Sequence, residues 1–369
     1  MNNKKIAFVG NSALTMLNFR LGVMTELSKT YDVTMITPQD CDVAILASKG
    51  IHFIPIDVDA KGINPFKDLR LARTLNRIYR HEHFDFVFHY TIKPIIYGSF
   101  VAGRADIPFI SIVTGLGYSF IRRNWLFHLS RLMHKWALKK AKSVWFLNQD
   151  DRRSFVRWNI VPEDRTHVIH GEGVNTSFFA PMPKKDKLFR FLYCGRMLLS
   201  KGVGLYVEVA KQLKKDYPSV EFQLLGPIDA PNPDAVTPRE IEDWIQEGTV
   251  TYLGVTKDVR PYLQACSCLV LPSYYMEGVP RSLMEAASMA RPIITTDSVG
   301  CKEVVQDGVN GFLCIKQNVD SLYQTMRKML SLNANELKEM GANGRKLMLA
   351  KFDEQIIIQE YVQYLNRSI

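Results

Sequence analysis

Runs of five or six apolar, β-rich residues alternate with longer stretches in which apolar residues recur every three or four positions, nearly from end to end of the chain. In the first half KIAFVG precedes a helical period over about 14–28. DVTMIT, IHFIPI, a helix over about 66–82, FDFVFHY and IPFISIV follow, then a basic helical stretch over about 122–141, SVWFLN, a short helix and THVIH. Near-continuous apolar strands separated by helices predict a parallel sheet covered on both faces. After His170 the string GEGVNTSFFAPMPKKDK mixes Gly, Pro and charge without an apolar period, and RFLYCGR then begins a fresh strand, so a domain boundary is expected there. The second half repeats the scheme with VEFQLLG, TVTYLG, CLVLPS and RPIITT as strands and helices over about 201–216, 257–265 and 280–290. The expectation is an α/β protein of two doubly wound domains, 1–175 and 184–348. Ligands would gather beyond the carboxyl ends of the strands, in a cleft between the halves.

Composition narrows this picture. With 369 residues, 47% of them apolar and 23% charged, and no low-complexity stretch, the whole chain should fold. The six cysteines are scattered, which indicates neither a disulfide framework nor a zinc site. The opening MNNKKIAFVG reads as a buried strand and not as a signal peptide, and no segment approaches the roughly 18 apolar residues needed to span a bilayer. A cytoplasmic location is therefore expected. The net charge of +10 is unevenly spread: residues 1–180 hold 24 Lys and Arg against 15 Asp and Glu, and the remainder 23 against 22. A basic half can face nucleic acid, an anionic membrane or a phosphorylated substrate. No nucleic-acid module is recognisable, so nucleic acid is not an expected partner.

Two clusters in the second half carry chemistry. RFLYC ends in Gly195-Arg196, and five residues later Lys201 opens the next helix with Gly202 and Gly204. Two cations and a glycine-rich turn at a helix N-terminus favour an anion, and a diphosphate would fit; the bland reading is a pair of solvated loop cations. Further on, Glu277 follows a strand beside Gly278, Val279 and Pro280, and Glu285 lies eight residues later inside a helix. Glu277 can then reach a sugar at the cleft and Glu285 a ribose lower down, with the N–H groups of the helix start aimed at phosphates between them. The alternative is a simple turn and a helix-face carboxylate.

Glu-x7-Glu with Gly-x-Pro after the first Glu, preceded by Gly-Arg-x4-Lys, resembles the donor-site signature of family-four retaining glycosyltransferases of the GT-B fold. GVNTSFF resembles that family's end-of-first-domain segment, DGVNGFL its late strand-turn, and Phe352 to Asn366 its terminal helix, so the resemblance spans the chain. It implies two Rossmann-like domains facing across a cleft, with residues 349–369 crossing back to the first. Arg196 and Lys201 would neutralise the diphosphate of a UDP-sugar donor, Glu277 would contact the transferred sugar, and Glu285 the ribose. Gly254 lies where backbone groups of the family read the nucleobase, and Gly195, Gly278, Val279 and Pro280 complete the donor site. No cofactor and no metal are implied, so Asp57-Val-Asp59, a metal-binding pattern in the other glycosyltransferase architecture, reads as a pair of strand-end acids. TGLGYSF and INPF resemble bacterial enzymes of capsule, O-antigen or lipid-linked oligosaccharide assembly, whose acceptor is a saccharide on a polyprenyl diphosphate. A UDP-sugar 2-epimerase of the same architecture and a non-catalytic nucleotide-sugar-binding subunit are the rival readings.

The first half departs from the family pattern. Thr114-Gly115 stands where many relatives carry His-Gly, and His89 at a strand end reads as either structural or acceptor-facing. At 100° per residue, Trp125, Leu129, Leu132, Met133 and Trp136 form one stripe of the 120–142 stretch, and Arg131, Lys135, Lys139 and Lys142 an adjacent one. Such a helix covers the sheet, rests with Arg122 and Arg123 on an anionic membrane surface, or does both.

Overall fold

The computed structural model describes residues 3–59, 62, 64–116, 120, 125–229, 232–275 and 277–369. Arg122 and Arg123 lie outside the described residues. The chain divides into two compact units, one of Met1–Glu172 with Glu354–Ile369 and the other of Gly173–Asp353.

The first unit runs β1 (Lys5–Val9), α1 (Ala13–Leu27), β2 (Asp32–Thr37), α2 (Ala44–Ser48), β3 (His52–Pro55), α3 (Pro65–Glu82) and β4 (Phe86–Tyr90). It continues through α4 (Ser99–Arg104), β5 (Phe109–Val113), α5 (Trp125–Ala137), β6 (Ser143–Phe146), α6 (Gln149–Arg157) and β7 (Thr166–Val168). Among the described residues its sheet has seven parallel strands in the order β3-β2-β1-β4-β5-β6-β7. β1, β4, β5 and β6 are buried almost throughout, as strands covered on both faces must be. The turn Pro94–Gly98 leads from β4 into α4. Its Gly98 makes room for His89: a Cβ there would fall 2.6 Å from the imidazole. His89 is fully buried, with Nε2 2.8 Å from the Tyr79 hydroxyl and Nδ1 3.1 Å from Ser99 Oγ, which makes it a core residue.

The second unit contains β8 (Arg190–Cys194), α7 (Val203–Asp216), β9 (Glu221–Leu225), α8 (Pro238–Gln246), β10 (Thr251–Tyr252), α9 (Arg260–Ala265) and β11 (Cys268–Leu271). Then come α10 (Arg281–Ser288), β12 (Ile293–Thr296), β13 (Gly311–Cys314), α11 (Val319–Leu330) and α12 (Ala334–Leu347). Its six described strands are parallel in the order β10-β9-β8-β11-β12-β13. The last helix, α13 (Glu354–Ser368), belongs to the first unit. Its Tyr361 is buried against Phe8, Phe88 and Trp145, and accepts a 2.9 Å hydrogen bond from the Tyr90 hydroxyl. Beside this aromatic cluster the buried Arg20 guanidinium lies 4.2 Å above the Tyr90 ring and pairs with Glu172.

α5 turns its apolar stripe outward. The residues it buries are Phe127, Ser130, His134 and Ala137, whereas Trp125, Leu129, Leu132 and Trp136 are 68%, 42%, 55% and 69% exposed. Of the two readings open in the sequence, the sheet-covering one applies to the opposite face. Among the described residues no helix is long and apolar enough to cross a membrane.

Candidate functional site

The order of the second sheet reverses between β8 and β11, which pair directly, Leu192 against Leu269. Connections leaving two such strands pass to opposite faces of the sheet and open a crevice at their carboxyl ends. The two clusters singled out in the sequence sit on those two exits: Gly195-Arg196 follows β8, and the loop through Glu277 follows β11.

The exits are locked together by backbone. Gly202 has φ +80°, and a Cβ there would lie 2.2 Å from the Pro272 carbonyl oxygen, so only glycine serves. The Ser200 carbonyl accepts from the backbone N–H groups of Tyr274 and Tyr275 at 2.9 and 3.0 Å. This close approach brings Lys201 Nζ to 2.8 Å from Glu277 Oε1, with the two side chains only 15% and 13% exposed. Ser273 Oγ also donates to Glu277 Oε1, at 3.3 Å. A largely buried pair of this kind combines a charge-assisted hydrogen bond with reduced screening, so each partner fixes the other.

Arg196 is more open, 43% exposed, and its guanidinium lies 3.2 Å from Asp229 Oδ2. Gly195 packs between Leu271 and the Lys201 stem. Gly278, Val279 and Pro280 lead into α10, whose first turn is capped by no side chain among the described residues. Glu285, the fifth residue of α10, is buried and accepts a 2.7 Å bond from Arg281 Nε. Burial pushes its carboxyl above the usual range, and the Arg281 charge opposes that shift. Gly254, just after β10, has φ +74° with open space around it, and its carbonyl accepts from Gly226 N at 2.9 Å. The structure therefore puts Lys201 and Glu277 in contact where the exits of β8 and β11 meet, with Arg196 on the β8 exit and Glu285 one turn into the helix that follows. Among the described residues no three His, Cys, Asp or Glu side chains gather as metal ligands would. Asp59 instead caps Gly62 N and pairs with Lys67.

The loop after β9 also reaches this site. Its Asp229 holds Arg196, and its Asp234 accepts from Ser200 N at 3.0 Å and from the Ser200 hydroxyl. Nothing periodic marks DAPNPDA; the only available signal was a pair of carboxylates at a third strand exit.

Known families match both halves of the chain. The family described as "Glycosyl transferase 4-like" matches residues 5–148, and "Glycosyl transferases group 1" matches 189–332. A Campylobacter jejuni N,N'-diacetylbacillosaminyl-diphospho-undecaprenol alpha-1,3-N-acetylgalactosaminyltransferase is 28% identical, over 99% of both chains. An Escherichia coli UDP-Gal:alpha-D-GlcNAc-diphosphoundecaprenol alpha-1,3-galactosyltransferase is 22% identical over 86% of each. Among solved structures, a Rickettsia africae glycosyltransferase superposes with a TM-score of 0.82 at 20% identity, covering 100% of this chain and 99% of its own. Anabaena HepE in complex with UDP-glucose gives 0.79 at 17%, covering 98% and 99%. Matched in both halves by glycosyltransferase families, and built on two parallel sheets that superpose on solved glycosyltransferases, the chain is a glycosyltransferase of the GT-B fold.

Proposed function

We propose that this enzyme is a family-four, retaining, metal-independent transferase. It would move a hexose or N-acetylhexosamine from a UDP-sugar to a saccharide on a polyprenyl diphosphate, during assembly of a bacterial surface polysaccharide. The observation that carries the reading is the 2.8 Å contact of Lys201 with Glu277, which joins the two halves of the donor signature at one crevice. In this reading Arg196 and Lys201 bind the diphosphate and offset the charge that accumulates on it as the sugar departs, an electrostatic contribution fixed before reaction. Glu277, held by Lys201 and Ser273, contacts the transferred sugar; Gly278, Val279, Pro280 and the uncapped start of α10 offer backbone to the phosphates. Glu285 accepts from the ribose hydroxyls, which requires that it share or exchange its bond from Arg281. Gly195 and Gly254 leave backbone accessible to the diphosphate and the base. The named activities of the Campylobacter and Escherichia coli relatives support the lipid-linked acceptor, and UDP-glucose in the Anabaena neighbour supports the donor class.

The first unit is read as the acceptor side, with the outward stripe of α5 and its basic neighbours resting on the anionic inner face of the cell membrane. The test is incubation with a panel of UDP-sugars and bacterial membrane lipid extract, followed by mass analysis of the lipid product. The expected product is a lipid-linked saccharide one sugar longer, and Lys201→Ala or Glu277→Ala should lower kcat/KM about 10²–10³-fold with folding intact. Release of a free epimerised UDP-sugar, or turnover by both variants at the wild-type rate, would refute it.

A further inference from the structure

At the opposite end of the first sheet from the strand exits there is a hollow of about 990 Å³. Its place follows from the chain: Arg165 immediately precedes β7, Lys140 stands just before β6, and Arg104 ends α4 ahead of β5, so it lies at the amino edge of the sheet. Chemistry at the carboxyl ends of the strands does not use it. Its walls include Phe100 on α4, Leu132 and Trp136 on α5, and Ile160 and Val161 from the turn after α6. Of these lining residues Ile160 and Val161 are buried, while Phe100, Leu132 and Trp136 are exposed.

The rim is cationic. Lys140 is bound to Asp106 at 2.7 Å, and Arg165 donates to the carbonyls of Lys139 and Ala141. Arg104, Lys135 and Lys139 line the same hollow, are exposed, and have no carboxylate partner among the described residues. The hollow's one carboxylate, Glu163, is paired with Arg152 at 2.9 Å. Leu132 and Trp136 belong both to this opening and to the outward stripe that continues through Leu129 to Trp125. The hollow thus sets exposed and buried apolar residues beside three cations that no described carboxylate answers.

We infer that this hollow binds one anionic phospholipid of the bilayer, an acyl chain inside against Phe100, Leu132, Trp136 and Val161 and the phosphate on Arg104, Lys135 and Lys139. Charge complementarity and continuity with the outward stripe select this occupant. A soluble anion would leave the apolar walls wet, and a neutral hydrocarbon would leave three cations unanswered. Its size suits a single chain with its headgroup, within the range of small-molecule sites. The inference rests on the membrane-surface part of the function proposed above and not on its transfer chemistry.

The test uses full-length protein in detergent micelles doped with phosphatidylglycerol, read by native mass spectrometry. One retained phosphatidylglycerol is expected, and Arg104→Glu with Lys139→Glu should reduce that retention at least tenfold with an unchanged thermal midpoint. Trp125→Ser with Leu129→Ser, outside the hollow, should weaken adsorption to phosphatidylglycerol vesicles yet keep the one-lipid species. Equal retention of phosphatidylcholine, displacement by inorganic phosphate alone, retention of a polyprenyl diphosphate in place of the phospholipid, or indifference to the double charge reversal would each overturn the inference. Because the readout is lipid mass, an enzyme without transferase activity can still pass, and an active one can still fail.

Discussion

At the scale of single residues, burial decides which groups are free to act. Lys201 and Glu277 are each largely withdrawn from water and paired with the other, so on the proposed reading a diphosphate would add a second anion to an ammonium already in place. His89 shows the contrary case. Burial with no facing charge lowers its pKa from 6.5 to about 3, and Tyr79 and Ser99 occupy its two ring nitrogens. The folded chain refuses a proton that the unfolded chain accepts below pH 6.5. The stability this histidine contributes is therefore complete above pH 6.5 and is lost as pH falls toward 3, by up to about 1.4 kcal/mol per unit. His134, lowered to about 4 by burial, acts in the same direction. Urea unfolding at pH 7.5 and pH 5 should show His89→Gln losing about 2 kcal/mol less than wild type between the two. Equal losses would show that His89 takes up protons in the folded state.

At the scale of elements, the site depends on two strand exits touching through glycine. Gly202→Ala forces a methyl into the Pro272 carbonyl at a φ that L-residues resist, so the exits must separate. The expected result is a loss of about 2–4 kcal/mol in urea unfolding, together with weaker UDP binding in calorimetry. A variant with wild-type values in both would mean that the loops are not coupled. Elements were legible in the sequence where periodicity is strong, as in the alternation of strands and helices and in the clusters at Arg196 and Glu277. α8 was not, although Thr237 and Glu240 form a complete capping box that a search for helix starts would have found. On α5 the stripe from Trp125 to Trp136 was legible but its direction was not, because apolar spacing is the same whether a face meets the sheet or solvent. The carboxylates Asp229 and Asp234 lie in an irregular loop, where only the folded chain reveals that they meet Arg196 and Ser200.

At the scale of the whole molecule, the first unit is assembled from both ends of the chain. Tyr361, from α13, supplies a buried ring to the cluster of Phe8, Phe88 and Trp145, so the core of that unit is incomplete without the last sixteen residues. Tyr361→Ala should cost about 3–5 kcal/mol and shift only one of two calorimetric transitions, the one belonging to the first unit. A uniform shift of both, or none, would show that α13 does not stabilise that unit selectively. The second unit is continuous from Gly173 to Asp353 and needs no such partner.

This arrangement sets an order of events on the ribosome. When Glu172 has been made, the first unit still lacks the helix that closes its aromatic core, and at about 5–20 residues per second that helix follows only some 10–40 s later. Meanwhile the second unit emerges whole. The first unit is therefore the part of the newborn chain whose core stays unfinished longest.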